Sequence, residues 1–170
     1  MKIALIAIAV VAVLILLIAG IGALLPQRHV VSRTAEFNSS AERIFPLIAG
    51  PQTWRTDLRE SVPVPDGSGR QRFRETDRSG ESITYEVLES RPPRLHKIRI
   101  AEQNLPYGGT WIYQIEPQPA GCRLTITEEG EVYNPVFRFV SRFILGHTRT
   151  IDSHLGMLAR ALGEELKLRE

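Results

Sequence analysis

Residues 3–25 form an unbroken run without a charge or a strongly polar side chain. No other feature narrows the folding options of the chain as much. As a helix the run would reach about 34 Å at about 1.5 Å per residue. That is enough to cross a hydrocarbon core of about 30 Å. A helix satisfies its own backbone hydrogen bonds, which lipid requires. The residues are Ala, Val, Ile and Leu, with Gly20 and Gly22 near the end and Pro26 as a stop. Two readings fit. One is a retained transmembrane anchor, which makes the membrane a partner through residues 3–25. The other is a cleaved signal, with Lys2 as its charged start and Gly20-Ile21-Gly22 as a small-x-small site. The run is longer than the usual apolar core of a signal, about 7–15 residues, which favours the anchor. Lys2 on one side and Arg28 and Arg33 on the other leave the orientation open, and with it the side on which the rest of the chain lies.

An anchor over residues 1–26 leaves residues 27–170, enough for one domain with a real core and too few for two. The sole cysteine, Cys122, excludes an intramolecular disulfide and any zinc site built from several cysteines. Lys and Arg total 21 against 19 Asp and Glu, a balance unlike that of a dedicated nucleic-acid binder. No Gly-x-Ser-x-Gly elbow and no His-x-x-x-His pair occurs, and His147 and His154 lie two helical turns apart. No catalytic residue, metal ligand or cofactor is therefore assigned. The sequence names no protein partner.

Beyond the run, His29 to Phe37 reads as a strand. Ala41 to Ala49 reads as a short helix behind the cap candidates Asn38-Ser39-Ser40, and Gln52 to Leu58 as a further helical turn. Strand-like runs follow at 60–64, 70–77, 81–89, 94–102, 109–116 and 122–132, separated by turn signals such as Pro65-Asp66-Gly67 and Ser79-Gly80. From Pro135 onward, apolar residues recur at helical spacing through Val140, Ile144, Ile151, Leu155, Leu158, Leu162 and Leu166. Gly146 marks a kink or a break. Short turns between adjacent strands imply an antiparallel meander. Alternation places Ile83, Tyr85 and Val87 on one face, likewise Trp111, Tyr113 and Ile115. The arginines Arg70, Arg72 and Arg74 fall on a wetter face. The fold class is α+β: a curved antiparallel sheet of about seven strands around a long C-terminal helix, preceded by one transmembrane helix.

Several local patterns carry a resemblance. These are Ser39-Ser40-Ala41-Glu42-Arg43-Ile44-Phe45, Trp54 after the first helix, and Arg91-Pro92-Pro93-Arg94-Leu95. Gly108-Gly109-Thr110-Trp111 and Gly121-Cys122-Arg123-Leu124-Thr125 complete the set. In this order they resemble the helix-grip fold of the START and polyketide-cyclase (SRPBCC) superfamily, over about residues 29–167. The resemblance implies a cavity between sheet and long helix. Superfamily members bind lipids, sterols or polyketide-like molecules, and a minority are enzymes.

The expected ligand-binding residues are then Trp54, Phe73, Tyr85, His96, Trp111, Tyr113, Glu128, Ile151, Leu155 and Leu158, with Leu124 and Ile126 beside them. Gln71, Glu75, His96 and Glu128 are the polar groups assigned to the inner face. A buried Glu75 or Glu128 would suggest a polar ligand group or a partner such as an arginine. The functional expectation is membrane-anchored binding or transport of a hydrophobic small molecule or lipid. The alternatives are a cyclase- or hydratase-like enzyme on a polyketide-like substrate, or a non-catalytic partner-binding domain.

Overall fold

The computed structural model describes residues 2–65, 69–102, 104–146 and 148–169, with the backbone alone for Leu145. The Asp66-Gly67 part of one expected turn, and His147, lie outside the described residues. Helix α1 (Lys2–Leu24) is exposed along almost its whole length. It leads into β1 (Arg28–Phe37) and α2 (Ala41–Ala49). The meander follows as β2 (Leu58–Val64), β3 (Arg72–Asp77), β4 (Ser82–Arg91), β5 (Leu95–Ile100), β6 (Tyr107–Gln118) and β7 (Gly121–Val132). Then come α3 (Pro135–Val140), a π-helical turn (Ser141–Leu145), α4 (Arg149–Leu162) and the short β8 (Lys167–Arg169).

The strands form one curved antiparallel sheet in the order β2-β3-β4-β5-β6-β7-β1-β8. Consecutive strands pair from β2 to β7 because their turns are short. β1 closes on β7 over its full length, Arg28 opposite Glu131 and Phe37 opposite Cys122. Apolar residues alternate along the strands and meet the stripe of α4. Ala35, Ile115, Leu124 and Ile126 pack with Ile44 and Ile48 of α2 and with Ile151, Leu155 and Leu158 of α4. Cys122 is buried in this core, and burial pushes its thiol up to about 11.

The structure differs from expectation in four places. The stretch Gln52 to Leu58 contains turns and no helix. The C-terminal helix breaks at Gly146 as expected, but it stops at Gly163, whose φ of 72° suits glycine and closes α4 with its amide on Ala159 and Arg160. Leu166 therefore lies beyond the helix. An eighth strand, β8, adds to the edge of β1.

The fourth difference lies on the outer face of the sheet. Glu86 is 1% exposed because Arg70, Arg72 and Arg99 close over it, with contacts of 2.6, 2.8 and 3.2 Å. Hydrogen bonds from Arg72 and Arg70 hold its carboxyl below the ordinary range against the opposing effect of burial. Alternation alone reads this face as wet, but three converging arginines bury one carboxylate there.

Candidate functional site

Between the sheet and α4 lie two neighbouring chambers. The larger, about 670 Å³, runs from Tyr85, Trp111 and Glu128 on the sheet to Phe137, Ser141 and Gly146 beside the break in the C-terminal helix. The smaller, about 100 Å³, is closed by Arg55, Glu75, Tyr113 and His154. Tyr85, Trp111, Thr150 and Ser153 wall both.

Arg55, in the loop after α2, organises the polar end. Its Nη1 donates to Glu75 at 2.7 Å and to Gln52 Oε1 at 3.3 Å. Its Nε and Nη2 grip Asp57 at 3.1 and 2.7 Å. Burial works against the Arg55 charge, but the bond to Asp57 and the field of Glu75 outweigh it, so the guanidinium stays charged. Burial raises the Glu75 carboxyl above its ordinary range, and Arg55 offsets only part of that.

His154 is 4% exposed and sits in an aromatic cage. The rings of Trp54, Trp111 and Tyr113 lie 5.2, 5.8 and 5.7 Å from its own. Its Nε2 has no hydrogen-bond partner among the described residues. Burial first, then the Arg55 charge, push its pKa down to about 3, so the imidazole is neutral. His96, with Nδ1 3.4 Å from Ser90 Oγ, is pushed down to about 4 by burial.

Both histidines charge on unfolding at their ordinary value near 6.5. The unfolded chain thus binds more protons below that pH, and stability falls as pH drops from about 6.5 toward 4. Glu128 has the opposite sign: burial pushes it up to about 7, so its ionisation costs stability as pH rises from its ordinary value to about 7. Urea unfolding between pH 4 and 7 should show a loss on the acid side, and His154→Phe should flatten that slope. An unchanged slope contradicts a buried neutral imidazole.

The expected ligand-binding residues separate into three groups. Tyr85 and Trp111 wall both chambers, Tyr113 the small one and Glu128 the large one. Trp54, Phe73 and His96 stand behind the walls. Trp54 packs on His154 while its Nε1 donates to Leu47 O at 2.8 Å. Phe73 stacks on Tyr85 at 5.3 Å, and His96 lies 6.2 Å from Tyr113. Ile151, Leu155 and Leu158 are 0% exposed in the packed core and line neither chamber, and Leu124 and Ile126 join them there. Gln71 is exposed, whereas Glu75 is buried against Arg55.

The helix lines the chambers through Thr150, Ser153, His154 and Met157 instead. These follow helical spacing one residue away from the apolar stripe, so the chamber-facing stripe is the mixed one. Arg55 and Asp57 were also missed, because the loop that carries them has no periodicity.

The large chamber adjoins the attachment of α1. Arg138 donates through Nε to Val132 O at 2.8 Å and through Nη1 to Leu25 O and Gly22 O at 3.4 and 3.5 Å. Its charge faces the carbonyl end of α1, where a cation is favoured. A Cβ on Gly22 would come 1.9 Å from Pro135 O, so only glycine lets α1 approach α3 this closely. Beside this joint Phe137, Phe143 and Ile144 are 50, 60 and 67% exposed.

A curved sheet gripping a C-terminal helix beside an open chamber defines a helix-grip protein. Residues 28–163 match the model of the polyketide cyclase / dehydrase and lipid transport family, and the chain belongs to it. Among solved structures, norcoclaurine synthase from Thalictrum flavum aligns with a TM-score of 0.60 and 15% identity, covering 81% of this chain and 88% of that one. Protein MLL2253 from Mesorhizobium loti aligns with a TM-score of 0.60 and 15% identity, covering 79% and 97%. At these identities the likeness extends to the fold alone. None of the curated proteins matches this chain in sequence.

Proposed function

We propose that this chain is a membrane-tethered binding or transfer protein for a hydrophobic small molecule or lipid. The observation that carries the reading is where the large chamber lies. Its wall includes Phe137, Ser141 and Gly146, and the same segment docks α1 through Pro135 and Arg138. With α1 in a bilayer, the exposed Phe137, Phe143 and Ile144 lie at the lipid surface and the chamber rim lies beside them. An apolar ligand would then pass between membrane and chamber without crossing water.

A second reading has one observation in its favour. Glu128 lines the large chamber, is pushed up to about 7 by burial and lies 3.6 Å from His29 Nε2, which suits a general acid or base in a cyclase- or hydratase-like reaction. A reaction abolished by Glu128→Gln with ligand binding intact would favour it over simple carriage.

The tether is tested by washing membranes from expressing cells at alkaline pH and measuring the intact mass of the retained chain. The reading expects the full 19.1 kDa chain in the membrane fraction. A soluble chain shortened by its apolar segment contradicts it.

A further inference from the structure

We propose that the small chamber is a recognition pocket for a neutral hydroxyl group, so that the ligand is an amphipathic alcohol or phenol rather than an acid or an amine. The inference rests on the reading above that the large chamber takes the ligand's apolar body. The two chambers share the walls Tyr85, Trp111, Thr150 and Ser153, so a ligand whose body fills the large chamber has its polar end beside the small one.

Size sets the first limit. A volume of about 100 Å³ admits a polar group and the few atoms that carry it, up to the edge of a single ring, not a fused ring system or a phosphocholine-sized head. Hydrogen bonding sets the second. His154 is 96% buried, lines this chamber, and its Nε2 has no partner among the described residues. A buried nitrogen of this kind needs a partner. A neutral imidazole carries one N–H and one acceptor nitrogen, and a hydroxyl can both donate and accept. The pair is therefore complementary in either tautomer.

Charge sets the third limit. Arg55 already commits four of its five N–H donors to Glu75, Asp57 and Gln52. A ligand carboxylate would have to sit beside Glu75 and Asp57, and the one cationic side chain among the described residues lining the small chamber, Arg55, is already paired with both. A ligand ammonium would share the pocket with the Arg55 guanidinium, in surroundings that already keep a proton off His154. Burial pushes His154 down and Glu75 up, whereas Arg55 and Asp57 stay charged because they grip each other, so a charge is held here only when it is paired. A site built to hydrogen-bond a hydroxyl also rejects the analogue that lacks it, because its buried group is left unpaired.

The test uses the full chain in nanodiscs, its histidines labelled with ¹⁵N, and the probes 4-hexylphenol, hexylbenzene and 4-hexylbenzoate. The phenol is expected to bind at least about tenfold more tightly than either analogue and to shift the His154 ring nitrogens. His154→Leu is expected to abolish that preference while hexylbenzene binding persists. His154→Gln, which keeps a polar group, should retain part of it, and this guards against a leucine variant that fails to fold. Equal affinity for phenol and hexylbenzene, or an unshifted His154 with the phenol bound, overturns the hydroxyl pocket and leaves the binding function standing. Tighter binding of the benzoate overturns it as well. If none of the probes binds, the reading of the large chamber fails and this inference fails with it.

Discussion

Replacing Arg55 by methionine should cost the fold about 3–5 kcal/mol, the usual loss when one partner of a buried ion pair is removed. The pair is well shielded, with 16% of the Arg55 side chain and 6% of Glu75 exposed. Without the guanidinium, Glu75 keeps its burial and loses its only recorded ion pair among the described residues. The deficit should grow with pH. An unpaired buried carboxyl takes up a proton in the folded state, so ionising it above its raised pKa costs stability. Adding Glu75→Gln to Arg55→Met should recover at least half of the loss, because the stranded charge is then gone. Urea unfolding of the full chain in nanodiscs, followed by the fluorescence of Trp54 and Trp111, measures all three proteins. A loss under about 1 kcal/mol would mean that the pair is solvated and that the polar end of the site is not a closed pocket.

The second large effect is on binding. Thr150 and Ser153 wall both chambers and lie on the exposed side of α4. The double variant Thr150→Trp/Ser153→Trp places indoles on the wall that the two chambers share. Affinity for an apolar fluorescent probe should fall by at least about tenfold, a loss of roughly 1.4 kcal/mol or more. Stability should change little, because neither side chain belongs to the packed core. The control is Leu155→Ala, which removes a fully buried side chain from the same helix. It should lower stability by about 2–5 kcal/mol while the chamber walls stay in place. Unchanged probe affinity in the tryptophan variant would place the ligand outside these chambers.

Much of the architecture was readable from the residues, because periodicity reports it directly. Alternation in Trp111-Ile112-Tyr113-Gln114-Ile115 marks a strand with one buried face. The spacing of Ile151, Leu155, Leu158 and Leu162 marks a helix covering it. The site was less readable for the same reason. Periodic apolar residues identify what is packed, and Ile151, Leu155 and Leu158 are packed so completely that they line neither chamber. The chamber uses the neighbouring stripe, Thr150, Ser153, His154 and Met157, whose mixed chemistry gives a weak pattern. Arg55 and Glu75 are twenty residues apart in the chain and meet only through the loop after α2 and the pairing of β3 with its neighbours. Glu86 illustrates the limit of face assignment. Alternation correctly sets it opposite Tyr85, but only tertiary placement brings Arg70, Arg72 and Arg99 over it.

The N-terminal helix acquires a structural role from the same comparison. Its length alone matches a bilayer. The Gly22–Pro135 approach and the Arg138 bonds tie its end to the segment that borders the large chamber. Helix and chamber thus meet at one place on the fold, which is the basis for the proposal that they are parts of one device.

The most direct measurement is native mass spectrometry of the full chain released from nanodiscs, followed by organic extraction of whatever it carries. The account predicts a resolved one-to-one complex with an apolar molecule, lost in the Thr150→Trp/Ser153→Trp variant and retained after Arg28→Ala on the outer surface. A chain of bare mass that takes up no apolar molecule offered to it in the membrane would contradict the account.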